Sequence, residues 1–519
     1  MFNSFFSTKI HPQIFVSLIA FLVLVPGSFQ LPLLDRDEPR FSRATVEMQE
    51  NSDWIVPYFN SEYRFDKPPL TYWWMGFHHW VFGNNEFSSR LHSILATWFI
   101  ALWMCARGKH WVGQQAAVLG SVAWLLNLQV WQHGRLALAD MPMILFLCLA
   151  MDGLWTSMTV ESKEKFFGPF LLWVGVALGF LAKGPIAIAV PFFVFIIYFL
   201  KNRKTIRPLK NLRPVVGVLS SLLLISLWGI PALIATDGVF AQEGLGTHVL
   251  ERGISAFNQR SYTPFFYFVT FFLSFFPWWI QGKPIFEKLK IFLATKECFY
   301  LLSWFFVPFL LFSFYSTQLP HYLLPGFPPL FMIVGKGIED AWNKQRKSQP
   351  IVEILFSILL LFSYLTYDQY ADPKFPQSFV PWVGIILFCF VWIPYCFLNI
   401  KKIGFIFLLL GMAFSSANLA RKMREEHLTI KILERSLVDP SDDIIRFSSS
   451  FAEPSLVYYL GGPWTFQNQL SQDVNSSRPV FQIERFESPV PDKEGILIEG
   501  FNPARGKREK IWVYPPNTN

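Results

Sequence analysis

The chain has 519 residues, of which 52% are hydrophobic and 16% are charged. This balance excludes a disordered chain and argues against a water-soluble globular protein. The net charge of +8 comes largely from short loops between apolar segments. That placement is typical of membrane topology and indicates no nucleic-acid partner. The five cysteines lie in or beside apolar segments without metal-ligand spacing, which argues against a disulfide scaffold and a zinc site.

Apolar segments long enough to cross a bilayer recur through most of the chain and predict a mainly α membrane protein with about 13 transmembrane helices. The first follows Lys9 and has no small-residue cleavage site after it, so we expect a spanning helix there and no cleaved signal. Lys and Arg concentrate in every second gap, most densely in 201–213, which predicts a cytoplasmic N-terminus and an outer C-terminus. The predicted spans lie at 12–32, 91–106, 114–130, 141–157, 168–182, 185–200, 214–235, 264–281, 299–315, 319–335, 350–367, 379–398 and 403–419.

Three polar regions fall on the predicted outer side, at 33–90, at 236–263 and from about 420 onward. The last region alternates apolar and polar residues in runs such as RPVFQIERF and KIWVYPP, which predicts strands, and it contains a helical pattern near 423–437. We therefore expect two domains. Residues 1–420 form a transmembrane domain whose outer loop, 33–90, carries amphipathic helices, and residues 421–519 form a small soluble α/β domain on the outer side.

The outer loop contains two stretches that are candidates for chemistry. Asp37 and Glu38 directly precede the helical pattern FSRATVEMQE, with Arg40 three residues after Asp37 on the same helical face. Carboxylates are favoured at a helix N-terminus, so capping is one explanation for the acidic pair and catalysis is another. Further along, RFDKPPLTYWW places Lys67 before Pro68, which disfavours α geometry and predicts a rigid corner that presents a cation.

The order of the motifs resembles a known family. The stretches that carry the likeness are DEPRFSRATVEMQENSDWIVPYFN, YRFDKPPLTYW, RLALADMP, FLAKGP, HVLERG, LPHYLLPGFPPL and, in the tail, FAEPSLVYYLG. They resemble the glycosyltransferases that use polyprenyl-phosphate sugars, the family of aminoarabinose–lipid A transferases and protein O-mannosyltransferases. This group is glycosyltransferase family 39-like and has the multi-spanning GT-C fold. The resemblance covers nearly the whole chain.

The resemblance implies roles for individual residues on the predicted outer side. Asp37 corresponds to the catalytic carboxylate and Asp140 to a second functional acid, with Glu38 as a further catalytic candidate. Asp66 and His248 fall where an acid–histidine pair holds a divalent metal in some relatives, although the acid here is the shorter Asp. The groups implied to hold the lipid phosphate are Lys67, Arg40, Arg252, Tyr322 and Lys183.

The function implied is inverting transfer of a sugar from an undecaprenyl-phosphate donor to lipid A, a protein or another envelope acceptor, at the periplasmic face of a bacterial inner membrane. Cations fixed around the leaving phosphate would stabilise its growing charge. Plainer explanations stay open: Lys183 and Asp140 fit side chains that reach the interface, and Tyr322 fits an aromatic belt. Two other classes also stay open, an oligosaccharide ligase or polymerase and a solute transporter, although no convincing inverted repeat supports a transporter. The sequence does not reveal the sugar or the acceptor.

Overall fold

The computed structural model describes residues 11–159, 166–201, 210–244, 246, 265–286, 290–344, 348–367, 375–436, 444–448, 450–466, 479–487 and 494–516. Helices dominate. In the first half they are α1 Pro12–Leu24, α2 Asp37–Glu50, α3 Leu70–Phe82, α4 Glu86–Arg107, α5 Lys109–Val112, α6 Gln114–Leu125, α7 Leu128–His133, α8 Asp140–Thr159, α9 Phe167–Lys183, α10 Ile186–Lys201 and α11 Pro214–Ala235. In the second half they are α12 Val239–Ala241, α13 Phe266–Ser274, α14 Gly282–Phe286, α15 Lys290–Leu293, α16 Lys296–Ser313, α17 Phe327–Asn343, α18 Ile351–Leu365, α19 Val380–Leu398, α20 Lys402–Glu426, α21 Leu428–Ser436 and α22 Pro454–Tyr459. The 3₁₀ helices are Trp278–Gln281, Pro320–Gly326 and Gln377–Phe379.

Each apolar segment predicted to span a membrane contains at least part of a helix. Within the described residues, five helices are long and apolar enough to cross a membrane, namely α8, α11, α16, the segment Gln377–Leu398 and α20. Four shorter apolar helices accompany them, namely α1, α9, α10 and α18. The chain is therefore mainly helical with several apolar helices, while the number of 13 spans and the orientation in the membrane stay predictions.

The antiparallel pair of α8 and α9 brings two distant charged residues to the same end of the bundle. Small residues let the two backbones approach closely: a Cβ added at Gly175 would lie 2.6 Å from the backbone nitrogen of Ala150. Asp140 is the first residue of α8 and Lys183 is the last residue of α9. Because the helices run in opposite directions, these two residues face each other at the end of the bundle that meets the outer loop.

The outer loop folds as two helices joined by a small hairpin. Strands β1 Tyr58–Phe59 and β2 Glu62–Tyr63 pair antiparallel between α2 and α3. The helix α2 packs on α3, and the Thr45 hydroxyl lies 3.2 Å from the sulfur of Met75. Trp54 closes this contact, because a Cβ at Gly76 would lie only 2.6 Å from its ring. The segment 33–90 thus contains helices, while their amphipathic role at the membrane surface stays a prediction.

The C-terminal region contains a mixed five-stranded sheet in the order β4-β3-β5-β7-β6. Its strands are β3 Ile445–Phe447, β4 Trp464–Thr465, β5 Val480–Arg485, β6 Ile496–Asn502 and β7 Lys507–Tyr514. The strand β3 is parallel to β4 and β5, whereas β7 is antiparallel to β5 and β6. Buried Ile483 opposes Val513, and Ile498 opposes Ile511, so apolar side chains form the centre of the sheet.

The helix predicted at 423–437 is two helices in the structure. The long helix α20 continues to Glu426, His427 has extended geometry, and α21 begins at Leu428. The helix α20 therefore crosses the expected boundary between residues 420 and 421 without a break. The periodic pattern indicated a helix correctly but did not reveal the turn, and the division of the chain at this boundary stays a prediction.

Contacts join the C-terminal sheet region to the outer loop. The Tyr459 hydroxyl accepts a 2.9 Å hydrogen bond from the backbone N–H of Leu33. The backbone N–H of Ser455 donates to the Asp35 carboxylate at 2.9 Å. These two bonds hold the short segment that leads into α2, so the C-terminal region supports the first residues of that helix.

Candidate active-site cavity

A cavity of about 420 Å³ opens where the outer loop meets the ends of the helices. Most of its walls are apolar, including Phe65, Trp228, Leu233 and Phe312. Its polar side chains come from four distant parts of the chain. They are Asp66 and Lys67 from the outer loop, Asp140 from α8, Lys183 from α9, and Tyr315, His321 and Tyr322 from the segment 315–322. The cavity thus brings together Asp66, Lys67, Asp140, Lys183 and Tyr322, all singled out from the sequence.

An ion pair between Lys183 and Asp140 forms one side of the cavity. The Lys183 ammonium donates a hydrogen bond to the Asp140 carboxylate. The side chain of Lys183 keeps 17% of its surface exposed, and that of Asp140 keeps 8%. The same ammonium lies 5.6 Å from the centre of the Tyr322 ring, within cation–π range. The pair is held in place and still reaches the cavity.

The outer-loop side of the cavity is built around Asp66 and Lys67. They lie in a bend just before α3, where the sequence predicted a rigid corner. The guanidinium of Arg64 pairs with the Asp66 carboxylate at 2.9 Å, and its Nε donates to the Tyr72 hydroxyl at 3.1 Å. The Lys67 ammonium donates to the Asp66 carbonyl oxygen at 2.8 Å. This bonding orients the lysine and leaves its charge beside the cavity.

Asp37 and Arg40 lie next to this corner rather than in the cavity wall. Asp37 is the exposed first residue of α2, and its charge acts on Arg40 and Arg64. Burial, followed by the charge of Arg64, lowers the pKa of Arg40. Because Arg64 also pairs with Asp66, a continuous row of charges runs from Asp37 to the cavity.

Glu38 occupies a different environment from its neighbour Asp37. Its carboxylate pairs with the fully buried Arg90 at 2.8 Å. It also accepts hydrogen bonds from the backbone N–H groups of Ala137 at 2.7 Å and Leu34 at 2.9 Å. These contacts engage both carboxylate oxygens, so the geometry favours a role in holding the loop, and the catalytic role of Glu38 stays a prediction without geometric support.

Two predicted site residues, Arg252 and His248, lie outside the described residues. The convergence of Arg252 with Lys67, and the metal pair of Asp66 with His248, therefore stay predictions. Within the described ranges no group of three or more His, Cys, Asp or Glu residues is placed to hold a metal ion.

Besides Tyr315 of the cavity wall, the sequence analysis did not single out two polar side chains of this region. His321 lines the cavity beside Tyr322, and its ring packs on His133 with 4.7 Å between centroids. The other is Arg64, which connects Asp66 with Tyr72. His321 stood in a motif that was recognised and could have been singled out as the polar neighbour of Tyr322. Both partners of Arg64, Asp66 and Tyr72, lie in the motif RFDKPPLTYWW, but the motif does not show that their side chains meet.

Comparisons with known proteins show what the chain is similar to in sequence and in fold. A family model described as dolichyl-phosphate-mannose-protein mannosyltransferase matches residues 66–230. The undecaprenyl phosphate-alpha-4-amino-4-deoxy-L-arabinose arabinosyl transferase of Yersinia pestis is 28% identical over 355 residues, which cover 66% of this chain and 63% of the relative. The protein of the same name from Serratia proteamaculans is 27% identical over 363 residues, covering 68% and 64%. The aligned part thus spans less than two thirds of the length of these relatives.

Two solved structures show the fold. ArnT from Cupriavidus metallidurans bound to undecaprenyl phosphate superimposes with a TM-score of 0.77 at 17% identity, covering 96% of this chain and 97% of that one. The archaeal oligosaccharyltransferase AglB from Archaeoglobus fulgidus superimposes with a TM-score of 0.54 at 11% identity, covering 92% and 69%. The chain has the GT-C fold. The resemblance in the sequence motifs is confirmed: the chain is similar in sequence to the aminoarabinose transferases and to the mannosyltransferase family model.

Proposed function

We propose that this protein is an inverting glycosyltransferase that moves a sugar from a polyprenyl-phosphate donor, undecaprenyl phosphate in bacteria, to lipid A, a protein or another envelope acceptor. The observation that carries the proposal is the cavity, in which cations and acids from three distant segments meet walls that are mostly apolar. A lipid phosphate needs both kinds of surface. The names of the sequence relatives and the lipid bound to the ArnT structure support the same class of donor.

The apolar wall suits the lipid part of the donor. Trp228 and Leu233 of α11 face the cavity, while Leu227, Ile230 and Ile234 on the same helix are exposed. An apolar helix with one face on a cavity and the other exposed is expected where a lipid chain leaves the bilayer for a binding site. We therefore place the polyprenyl chain along α11.

The polar groups suit the phosphate and the reacting sugar. Lys67 and Lys183 would stabilise the charge that grows on the phosphate oxygens as the bond to the anomeric carbon breaks. Tyr322 and Arg40 would add donors, and Arg252 is assigned the same task. Because these charges are fixed by Asp66 and Asp140, little reorganisation accompanies the reaction.

The acceptor oxygen attacks the anomeric carbon from the side opposite the phosphate, which inverts the configuration. The electron pair of the breaking bond passes to the phosphate. Asp37 takes the proton of a hydroxyl acceptor as general base. If the acceptor is an ionised phosphate, no base is needed, and Asp37 would then orient groups around the sugar. Asp140 holds Lys183 in position.

The remaining assignments follow from the expected orientation. The N-terminus is placed in the cytoplasm, and the cavity faces the periplasm of a bacterial inner membrane. The region from residue 421 onward would cover the acceptor side, because α22 contacts the segment that leads into Asp37. A divalent metal at Asp66 and His248 is compatible with this scheme but not required by it.

The test is turnover of a lipid-linked donor by purified protein in nanodiscs, followed by mass spectrometry of the acceptor. Envelope lipids and glycoproteins from cells with and without the protein identify the sugar and acceptor. Wild-type protein should consume the donor, and Asp140→Asn should consume it about tenfold more slowly, because Lys183 loses the carboxylate that holds it in position. Flux of a free solute into sealed vesicles without donor turnover would instead support a transporter and contradict the proposal.

A further inference from the structure

The imidazole of His321 is a polar group at the cavity wall that the mechanism above does not use. The residue is half-buried and lines the cavity. Within the described part of the chain its ring nitrogens form no hydrogen bond with protein, and its contacts are ring contacts and electrostatic interactions. A neutral imidazole carries one donor and one acceptor. Because this imidazole lines the cavity and bonds no protein group within the described residues, a ligand in the cavity can reach it.

The position of the ring is fixed without using its nitrogens. His133 packs against it with 4.7 Å between centroids, and the Nδ1 of His133 is itself 3.1 Å from the carbonyl oxygen of Gln129. The ring of Tyr322 meets it edge-on at 5.0 Å. The 3₁₀ helix Pro320–Gly326 carries both His321 and Tyr322. His321 is therefore preorganised, and its donor stays available.

The charges around His321 favour an anion as the ligand. Asp140, His133 and Lys183 act on it electrostatically. The hydroxyl of Tyr267 on the adjacent α13 accepts a hydrogen bond from the backbone N–H of Leu319, just before the same 3₁₀ helix. Lys183 already neutralises Asp140, and its ammonium lies against Tyr322. An ammonium, a phenol and an imidazole donor thus surround one end of the cavity. Phosphate oxygens accept hydrogen bonds from all three types of group.

We propose that His321 donates a hydrogen bond to the phosphate of the lipid donor and is a further catalytic residue of the site. This inference rests on the proposed function, because it takes the polyprenyl phosphate as the ligand. The hydrogen bond strengthens as the phosphate gains charge during departure, so it contributes both to donor binding and to the rate.

Two substitutions distinguish the role of the N–H group of His321 from the role of its ring. His321→Phe keeps a ring against His133 and Tyr322 and removes the N–H, whereas His321→Gln keeps an N–H donor and removes the ring. His110→Ala is the control, since His110 is an exposed histidine on α5 that is not part of the cavity wall. The measurement is the affinity of purified protein in nanodiscs for undecaprenyl phosphate without a sugar, with a melting curve for each variant.

We expect His321→Phe to bind about tenfold more weakly than wild type, as for one lost hydrogen bond to a charged group. His321→Gln should bind within about threefold of wild type, and His110→Ala should match it. Equal binding by wild type and His321→Phe would overturn the inference. If His321→Phe also turned over the donor more slowly, His321 would contact the sugar instead of the phosphate, which overturns the inference as well. If His321→Phe and His321→Gln both bound weakly and melted at lower temperatures, His321 would have a structural role, and the inference would also be overturned. No binding by wild type would instead contradict the proposed function.

Discussion

One buried ion pair lies near the start of the outer loop, and a second lies at the cavity. They differ in how many of their hydrogen-bonding groups have a protein partner. In the first, Glu38 and Arg90 are sealed, with side chains that are 2% and 0% exposed. Arg90 also donates to the carbonyl oxygen of Pro32, and Glu38 accepts from two backbone N–H groups. In the second, Asp140 and Lys183 share one hydrogen bond and remain partly exposed to a cavity.

We interpret this difference as one of role: the Glu38–Arg90 pair holds the fold, and the Asp140–Lys183 pair belongs to the candidate site. A sealed pair has no bonding capacity left for a ligand, and loss of one partner leaves an uncompensated charge in the interior. In a partly exposed pair, one ion can form a further hydrogen bond to a ligand while the bond between the two partners remains. In both pairs the acid lies in the first turn of a helix, so this position alone does not distinguish the two pairs.

The largest expected effect is on the sealed pair. Glu38→Ala should lower the free energy of unfolding by about 3–5 kcal/mol, because Arg90 would be left buried without its partner. Thermal unfolding of detergent-solubilised protein measures this loss. Glu50→Ala, which breaks the exposed contact between Arg43 and Glu50, is the control and should cost less than about 1 kcal/mol. An unchanged melting temperature for Glu38→Ala would show that the pair is not framework.

The neighbouring residue Asp37 should give the opposite result. Asp37→Asn should lower the rate of transfer to a hydroxyl acceptor by about 10²–10⁴-fold, the usual contribution of a general base. The melting temperature should stay at the wild-type value because the side chain is exposed. The two values together show whether adjacent acids have separate roles. A wild-type rate would remove Asp37 from catalysis.

Substitutions in the partly exposed pair, Asp140 and Lys183, should change the affinity for the ligand rather than the stability of the fold. Lys183→Met should weaken binding of undecaprenyl phosphate by about tenfold, with a melting temperature near that of wild type. Lys201→Met is a matched control, because Lys201 also ends a helix and lies over an aromatic ring, that of Phe299, at 3.5 Å. Equal losses of affinity in both variants would contradict a specific role for Lys183.

The smallest effect concerns pH at the junction with the C-terminal region. Burial raises the pKa of Asp35 to about 7, and the nearby Glu453 also raises it, whereas hydrogen bonds from Ser455 and the charge of Arg40 lower it. A carboxyl with a raised pKa stabilises the folded state below its unfolded value of about 4, and this stability is lost as pH rises towards 7. Wild type should therefore lose stability at this site as the pH rises from 5 to 8.

Asp35→Asn removes the titrating group and should flatten this slope. The comparison is made by melting curves at several pH values in buffers of constant ionic strength. Above pH 7 the two proteins should show parallel behaviour. A slope that persists in Asp35→Asn would assign the pH dependence to other groups.

Local patterns were sufficient to predict much of the fold and part of the site. Apolar periodicity placed the helices, and the motifs selected Lys67, Asp140, Lys183 and Tyr322, which meet at one cavity. They could not show that Arg90, 52 residues away, seals Glu38, because a preference of carboxylates for helix N-termini does not identify a partner. They also did not show that Asp37 lies beside the cavity wall, or that a helix turns at His427. Those features depend on packing between distant segments.

The most direct test of the central claim is a cryo-EM structure of the protein in nanodiscs with undecaprenyl phosphate. We predict density for the phosphate in the cavity, within hydrogen-bond distance of Lys67 and Lys183, with the lipid chain leaving along α11. A phosphate bound elsewhere, or a cavity without lipid density at saturating concentration, would contradict the account.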